Sequence, residues 1–233
     1  MSTACRLPDG RLVSIHPAIT DRLCCGVVVM APVTVGDGQG AADEAVALGP
    51  GLRERFDGML PSEIPGLTEA RTLYKSFGMD PSRHRPSSEA LLRRVLKGQE
   101  LYRLNNVVDS CNLASLSMLL PIGMYDLDLV EGDVTLRTGQ PGEGYPGIRK
   151  GLVNLQDRLG LFDAAGPFGS PTSDSARTCV RETTGSILAV IMATAAYPAG
   201  LMEENLDTFS AIFTRHCGAT EAFRAVLRSV EES

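Results

Sequence analysis

The order of sequence patterns along this chain predicts an α+β fold, in which helices pack around a largely antiparallel sheet. Helical spacing of apolar residues dominates the first 120 residues, short alternating segments with glycine-rich connections follow, and helical spacing returns near the C-terminus. No internal repeat and no low-complexity linker divides the 233 residues. We therefore expect residues 1–233 to form a single domain.

The first 60 residues carry one strand signal and two helix signals. Residues 27–31 are a short apolar run that is typical of a strand. Residues 41–48 and 52–59 are expected to form two helices, because glycine and proline at 49–51 interrupt the pattern.

Two further helices are expected before residue 100. Residues 67–77 have helical spacing, and the sequence at 86–89 predicts a helix start with a capping hydroxyl and a carboxylate in the first turn. The apolar stripe of that helix ends at Gly98.

The helix expected at residues 106–120 is unusual because a polar stripe runs along it. Asn105, Asp109 and Asn112 follow one another at i, i+4 and i+7, so they share one face. Such a stripe faces either solvent or a polar pocket, and the spacing alone favours solvent.

The second half of the chain reads as short strands closed by helices. Residues 187–195 are apolar throughout and fit a buried strand or a buried helix. Residues 203–217 and 221–230 are expected to be helices. The alternating segments are residues 134–137, 152–155 and 159–162.

Composition excludes several classes of protein. With 43% hydrophobic residues the chain is too apolar for disorder, and no apolar run approaches the roughly 18 residues of a membrane span. Residues 1–10 contain no hydrophobic signal region. The six cysteines and three histidines lack metal-ligand spacing, so we expect no bound metal. We also expect no other cofactor and a cytoplasmic location.

The net charge of −6 argues against a protein that coats nucleic acid. Residues 71–103 nevertheless contain eight basic and three acidic residues, a local charge of +5 against −11 for the remainder. This segment fits either a solvated helix face or a local docking strip for an anionic partner.

The common catalytic motifs do not identify an enzyme class for this chain. No Gly-x-Ser-x-Gly motif occurs, so a serine hydrolase is not indicated. Cys111 or Cys179 with His216 leaves a thiol enzyme open, although buried, unreactive thiols are the more common outcome.

Three stretches carry a specific resemblance: residues 80–94 (DPSRHRPSSEALLRR), 104–112 (LNNVVDSCN) and 120–128 (LPIGMYDLD). Together they resemble the B3/B4 domain, the editing module in the beta chain of bacterial phenylalanyl-tRNA synthetase, and above all its free-standing relatives. The resemblance covers about residues 67–217. Residues 1–66 match no known chemical role and are taken as the N-terminal part of the same domain.

The resemblance implies a function in translation quality control. It implies an RNA-binding hydrolase without cofactor, whose central pocket receives the acceptor end of a mischarged tRNA and hydrolyses the aminoacyl ester in trans. Canavanyl-tRNA for arginine is one implied substrate, and a transient contact with an aminoacyl-tRNA synthetase is one implied partner. A non-catalytic module that binds tRNA or an amino acid is the alternative, and the oligomeric state stays open.

Individual pocket positions of the synthetase can be carried over to this sequence. The Thr-Asn pair of the family corresponds to Cys111 and Asn112, the histidine to Gly123, and the glycine of the Ala-Gly turn to Gly166. The glutamate that meets a tyrosine hydroxyl falls at Val190. Without that glutamate the pocket lacks the group that selects tyrosine.

The same resemblance suggests roles for further residues. Asn112 and Asp109 are expected to position the substrate amine and a water, with backbone amides around Gly123 and Gly166 as donors. Asp126, Glu143 and Asp174 are the candidate carboxylates for a guanidinium-like side chain. The other expected pocket residues are Tyr125, Phe168, Ser173, Arg177 and Thr178. The expected tRNA contacts are Arg83, Arg85, Arg93 and Arg94.

Overall fold

A layer of helices, a four-stranded sheet and a six-stranded sheet stack on one another in the computed structural model, which describes residues 2–148 and 151–229. The helices are α1 (Gln39–Arg55), α2 (Pro65–Ser76), α3 (Ser87–Leu96), α4 (Asn106–Met118) and α5 (Ala199–Cys217). The strands are β1 (Ala4–Arg6), β2 (Leu12–Ile15), β3 (Cys24–Met30), β4 (Ile122–Asp126), β5 (Val134–Thr138), β6 (Gly144–Pro146), β7 (Leu152–Asn154), β8 (Leu159–Asp163), β9 (Gly166–Ser170), β10 (Ser173–Asp174), β11 (Ile187–Ala193) and β12 (Glu221–Leu227).

Strand pairing is antiparallel except between β2 and β5, which confirms the predicted α+β class. The four-stranded sheet has the order β12-β3-β11-β4, and the six-stranded sheet has the order β1-β2-β5-β8-β9-β10. Strands β6 and β7 form a separate hairpin. Residues 2–66 contribute to both large sheets, because β2 pairs with β5 and β3 pairs with β11 and β12.

The central strands β3 and β11 are apolar at every position because both of their faces are buried. Val28 and Ala189 belong to the core between this sheet and the helices, whereas Val27 and Val190 belong to the core between the two sheets. Alternate residues of one strand therefore fill two different cores. Residues 187–195, for which strand and helix were both open, thus contain a strand.

The predicted pair of helices at 41–48 and 52–59 is wrong, because α1 runs continuously through Pro50. Proline removes one helical hydrogen bond. Ala41, Ala45 and Gly49 are buried on one side of α1, spaced four residues apart, and this continuous packing face outweighs the interruption.

The predicted helix at 221–230 is also wrong over its described part, where β12 pairs with the edge of β3. Phe223, Ala225 and Leu227 alternate towards the inner core, a period of two that only a strand satisfies. Residue 230 lies outside the described residues. The predicted hydroxyl cap of α3 is wrong as well, because Pro86 takes the cap position and the buried Ser88 hydroxyl has no hydrogen-bond partner among the described residues.

No helix within residues 2–148 and 151–229 has the length and apolar character needed to cross a membrane.

Candidate functional site

A cavity of about 440 Å³ lies between α3, α4, β4 and the segment around β10. This volume is in the range of small-ligand sites. Its polar lining comes from Ser87, Asn105, Cys111, Asn112, Ser115, Asp174 and Cys179. Its apolar lining comes from Leu91, Leu104, Val108, Ile122, Met124, Ile148 and Val180.

Helix α4 supplies the polar wall of this cavity. The Asn105 side chain caps the helix by accepting a hydrogen bond from the Val108 N–H at 2.9 Å. Asn112 lies two turns further along the same face and lines the cavity. Within the described part of the chain no hydrogen bond engages the Asn112 amide. Two residues of the polar stripe thus face a pocket, and the preference for solvent was wrong.

Asp109, the third residue of the stripe, does not line the cavity. Both of its carboxylate oxygens accept the Leu104 N–H, at 3.2 Å each, and this bond fixes the chain as it enters α4. Burial raises the pKa of Asp109. The observed contact of the Asp109 carboxylate is therefore this hydrogen bond with the backbone that leads into α4.

Tyr125 follows the cavity-lining residue Met124 on β4, and its side chain belongs to the core between the two sheets. Its ring is fully buried and meets Phe168 edge to face, with 4.8 Å between the ring centroids. A Cβ atom on Gly123 would lie 2.8 Å from Tyr125 Cζ, and one on Gly169 would lie 2.5 Å from the same atom. The room that a histidine would need at position 123 is therefore occupied by Tyr125.

β4 is an edge strand, and two of its residues, Ile122 and Met124, line the cavity. β4 is the last strand of its sheet, and the Asp126 N–H points away from β11 to bond the Thr178 carbonyl at 2.9 Å. Backbone direction alternates along a strand. The Gly123 N–H consequently faces β11, where Gly123 pairs with Val190, and the Met124 N–H faces the open edge.

Asp174 is the only carboxylate among the described residues that line the cavity. It ends the hairpin of β9 and β10, which two buried tyrosines hold. The Tyr74 hydroxyl donates to the Pro171 carbonyl at 2.6 Å, and the Tyr145 hydroxyl bonds the Ser173 carbonyl. Burial, and then the Asp174 charge, raise the pKa of Tyr125 far above its usual range.

The other two candidate carboxylates have structural partners outside the cavity. Asp126 accepts the Thr184 hydroxyl at 2.6 Å and the Asp128 N–H at 3.1 Å. Glu143 forms a two-bond ion pair with Arg137 at 2.7 Å, which lowers the pKa of Glu143. Of the three candidate carboxylates, Asp174 is the one that lines the cavity.

The remaining predicted residues do not line the cavity. Arg177 donates to Asp163 at 2.8 Å and to the Leu129 carbonyl at 3.1 Å. The Thr178 hydroxyl bonds the Ser175 hydroxyl at 3.0 Å. Phe168 and Val190 belong to the core between the sheets, Gly166 begins β9 with a φ of 115°, and Ser173 lines a separate cavity.

The basic segment is organised by one buried carboxylate. Glu89 is 1% exposed and pairs with Arg71 at 2.7 Å, Arg93 at 3.0 Å and Arg85 at 3.7 Å. Arg83 is 84% exposed and has a loose pair with Asp80 at 3.8 Å. The three arginines around Glu89 leave an excess positive charge at the surface.

Sequence reasoning missed several lining residues. Ser87 and Leu91 lie four residues apart on α3, and Ile122 and Met124 lie two apart on β4, so each pair shares a face. Helical and strand periodicity identify such pairs, but they do not show which face meets a cavity.

The described residues contain no group of three or more His, Cys, Asp and Glu side chains that could hold a metal ion.

The sequence of this chain matches the model of a protein family. The model of the B3/4 domain matches residues 69–203, which include every residue that lines the cavity. The chain belongs to the B3/4 domain family. This membership confirms the resemblance read from the sequence motifs.

A solved structure can be aligned with most of this B3/4 protein. A crystal structure of an N-terminal fragment of the phenylalanyl-tRNA synthetase beta-subunit from Pyrococcus horikoshii aligns with 93% of this chain, at 11% identity and a TM-score of 0.44. The chain spans 54% of that fragment. Comparison with curated proteins gives no match.

Proposed function

We propose that this B3/4 protein is an aminoacyl-tRNA deacylase that hydrolyses the ester of a mischarged tRNA in trans. The observation that carries the proposal is the Asn112 amide, which lines a cavity of about 440 Å³ and forms no hydrogen bond with the described residues. Family membership and the motif resemblance supply the substrate class.

The proposed reaction needs an oriented water and stabilisation of an oxyanion. Water adds to the ester carbonyl carbon, the bond from that carbon to the ribose oxygen breaks, and the ribose oxygen takes a proton. Asn112 orients the amino group and the water, and the Met124 N–H at the open edge of β4 donates to the oxyanion.

No side-chain nucleophile is required, because an aminoacyl ester is already activated. The neighbouring thiol supports this choice, since burial raises the pKa of Cys111 well above its usual range and keeps the thiol protonated.

Asp174 is the proposed recognition group for the amino-acid side chain. A single carboxylate in a largely apolar lining favours a cationic side chain, and a guanidinium-like group can bond both of its oxygens. Canavanyl-tRNA for arginine is therefore the first substrate to test.

The arginines around α3 are the proposed tRNA contacts. Arg83 is exposed, and Arg85 and Arg93 extend from the buried Glu89 with 46% and 40% of their side chains exposed. Guanidinium groups held in this way can bond phosphate oxygens. Replacing these arginines should weaken tRNA binding and reduce its dependence on salt.

The test is a deacylation panel on cytoplasmic tRNAs charged with cationic, neutral and acidic amino acids. We expect canavanyl-tRNA to be released fastest, and we expect Asp174→Asn to reduce that release more than the release of neutral esters. Release of every ester at the buffer rate, together with tRNA binding, would favour the non-catalytic binding module instead.

A further inference from the structure

The short segment between α3 and α4 places an exposed aromatic ring beside the cavity. Leu101 packs against the helical core and Arg103 pairs with Asp43 of α1 at 2.9 Å, so both side chains turn to the α1 side. Tyr102 and Leu104 are 69% and 55% exposed, and Leu104 lines the cavity. Tyr102 is thus two residues from the cavity wall and open to solvent.

Arg94 holds this ring in position. Its Nε and Nη2 atoms donate to the Glu100 carbonyl at 3.1 and 2.8 Å, and its Nη1 atom donates to the Tyr102 hydroxyl at 3.3 Å. The guanidinium carbon lies 4.3 Å from the Tyr102 ring centroid. One face of the ring is covered by a cation, and the other is available for stacking.

Arg94, which holds Tyr102, lies on the same face of α3 as two residues that line the cavity. Ser87 and Leu91 of α3 line the cavity, and Arg94 follows on the same face. Arg93 is about 100° further around the helix, where it meets Glu89. The two adjacent arginines therefore serve different surfaces.

We propose that the open face of Tyr102 stacks on the terminal base of the tRNA whose ester enters the cavity, with Arg94 as the positioning residue. This inference rests on the proposed deacylase function. The ester and the terminal base are attached to the same ribose, so an ester in the cavity brings the base to the cavity mouth. An aromatic ring with a stacked guanidinium is a common platform for unpaired bases.

Stacking is also suited to this position because it tolerates any base, and the guanidinium adds positive charge near the last phosphates. Tyr102 contributes binding in the ground state and the transition state alike, so its loss should raise KM and leave kcat almost unchanged.

The test uses a minihelix with 2-aminopurine as its terminal base and an amide in place of the ester, which cannot be hydrolysed. The wild-type protein should quench the 2-aminopurine fluorescence, and Tyr102→Phe should retain quenching because the ring face remains. Tyr102→Leu should abolish quenching and weaken binding by about 5-fold to 160-fold, the range that corresponds to loss of one base stack. Leu60→Ala is the matched control, since Leu60 is 61% exposed and does not line the cavity.

The outcomes separate the two proposals. Quenching by the wild-type protein without hydrolysis of the corresponding ester would refute the deacylase and leave the platform standing. Hydrolysis with equal KM for wild type and Tyr102→Leu would refute the platform and leave the deacylase standing. Absence of quenching by the wild-type protein would also overturn the platform.

Discussion

Alanine at Gly123 or Gly169 should destabilise the protein, because both residues border the buried Tyr125 ring. The added Cβ would lie 2.8 Å from Tyr125 Cζ at position 123, and 2.5 and 2.6 Å from Cζ and Cε1 at position 169. The ring cannot move away easily, since Phe168 packs against it. Overpacking of this kind costs about 1–3 kcal/mol.

For a domain of this size, that cost lowers the Tm by about 2–12 °C. The Tyr125→Phe background sharpens the test, because it removes the hydroxyl, which is the closest atom to both Cβ positions. Ring carbons remain nearer to position 169 than to position 123, so Tyr125→Phe should rescue Gly123→Ala more than Gly169→Ala.

Thermal unfolding followed by circular dichroism measures each single and double variant. Gly185→Ala is the control, since a Cβ there has no atom within 4 Å. An unchanged Tm for Gly123→Ala, or an equal penalty in the wild-type and Tyr125→Phe backgrounds, would refute this description of the packing around Tyr125.

Three further predictions concern single groups. Iodoacetamide at neutral pH should label Cys111 more slowly in the folded protein than in the unfolded chain, because burial raises its pKa; equal rates of labelling of the Cys111 peptide in the mass spectrum would contradict this. Tyr74→Phe removes the bond to the Pro171 carbonyl, so it should cost about 1 kcal/mol and increase amide hydrogen exchange at residues 170–174, and unchanged exchange would contradict it. The Arg137 guanidinium lowers the pKa of Glu143 in the folded protein. This ion pair therefore stabilises the folded protein at pH values above the pKa that Glu143 has in the unfolded chain, and the stabilisation is lost as the pH falls through the lower pKa of Glu143 in the folded protein. The Tm of wild type should therefore fall more on acidification than that of Glu143→Gln, and parallel curves would contradict it.

The periodicity of apolar residues predicted the helices and strands that have one apolar face packed on the core. Helices α2 and α5 and strand β8 lie close to their predicted positions, because their apolar spacing matches the face that packs on the core. Strands β1 and β2 contain three and four residues and gave no signal. Strand β12 was mistaken for a helix because its pairing with β3, distant in sequence, decides its conformation.

Sequence patterns identified only some of the residues that line the cavity, because only some of them are marked by local sequence. The polar stripe and the family motif both selected Asn112, since α4 carries that information locally. Choosing Asp174 over Asp126 required the fold, because the hydroxyl that binds Asp126 comes from Thr184, 58 residues away. The sequence pattern gave no signal for Tyr102, because this residue lies between two helices, where periodicity is uninformative.

The most direct test of the proposed active site is the single-turnover rate of ester hydrolysis by Asn112→Ala on canavanyl-tRNA. Asn154→Ala is the matched control, because Asn154 lies on β7 and does not line the cavity. We expect Asn112→Ala to keep the wild-type Tm and to lose about 100-fold to 1,000-fold in rate, as when one preorganised donor is removed from an active site. A folded Asn112→Ala that hydrolyses the ester as fast as wild type and Asn154→Ala would contradict the assignment of this cavity as the site of catalysis.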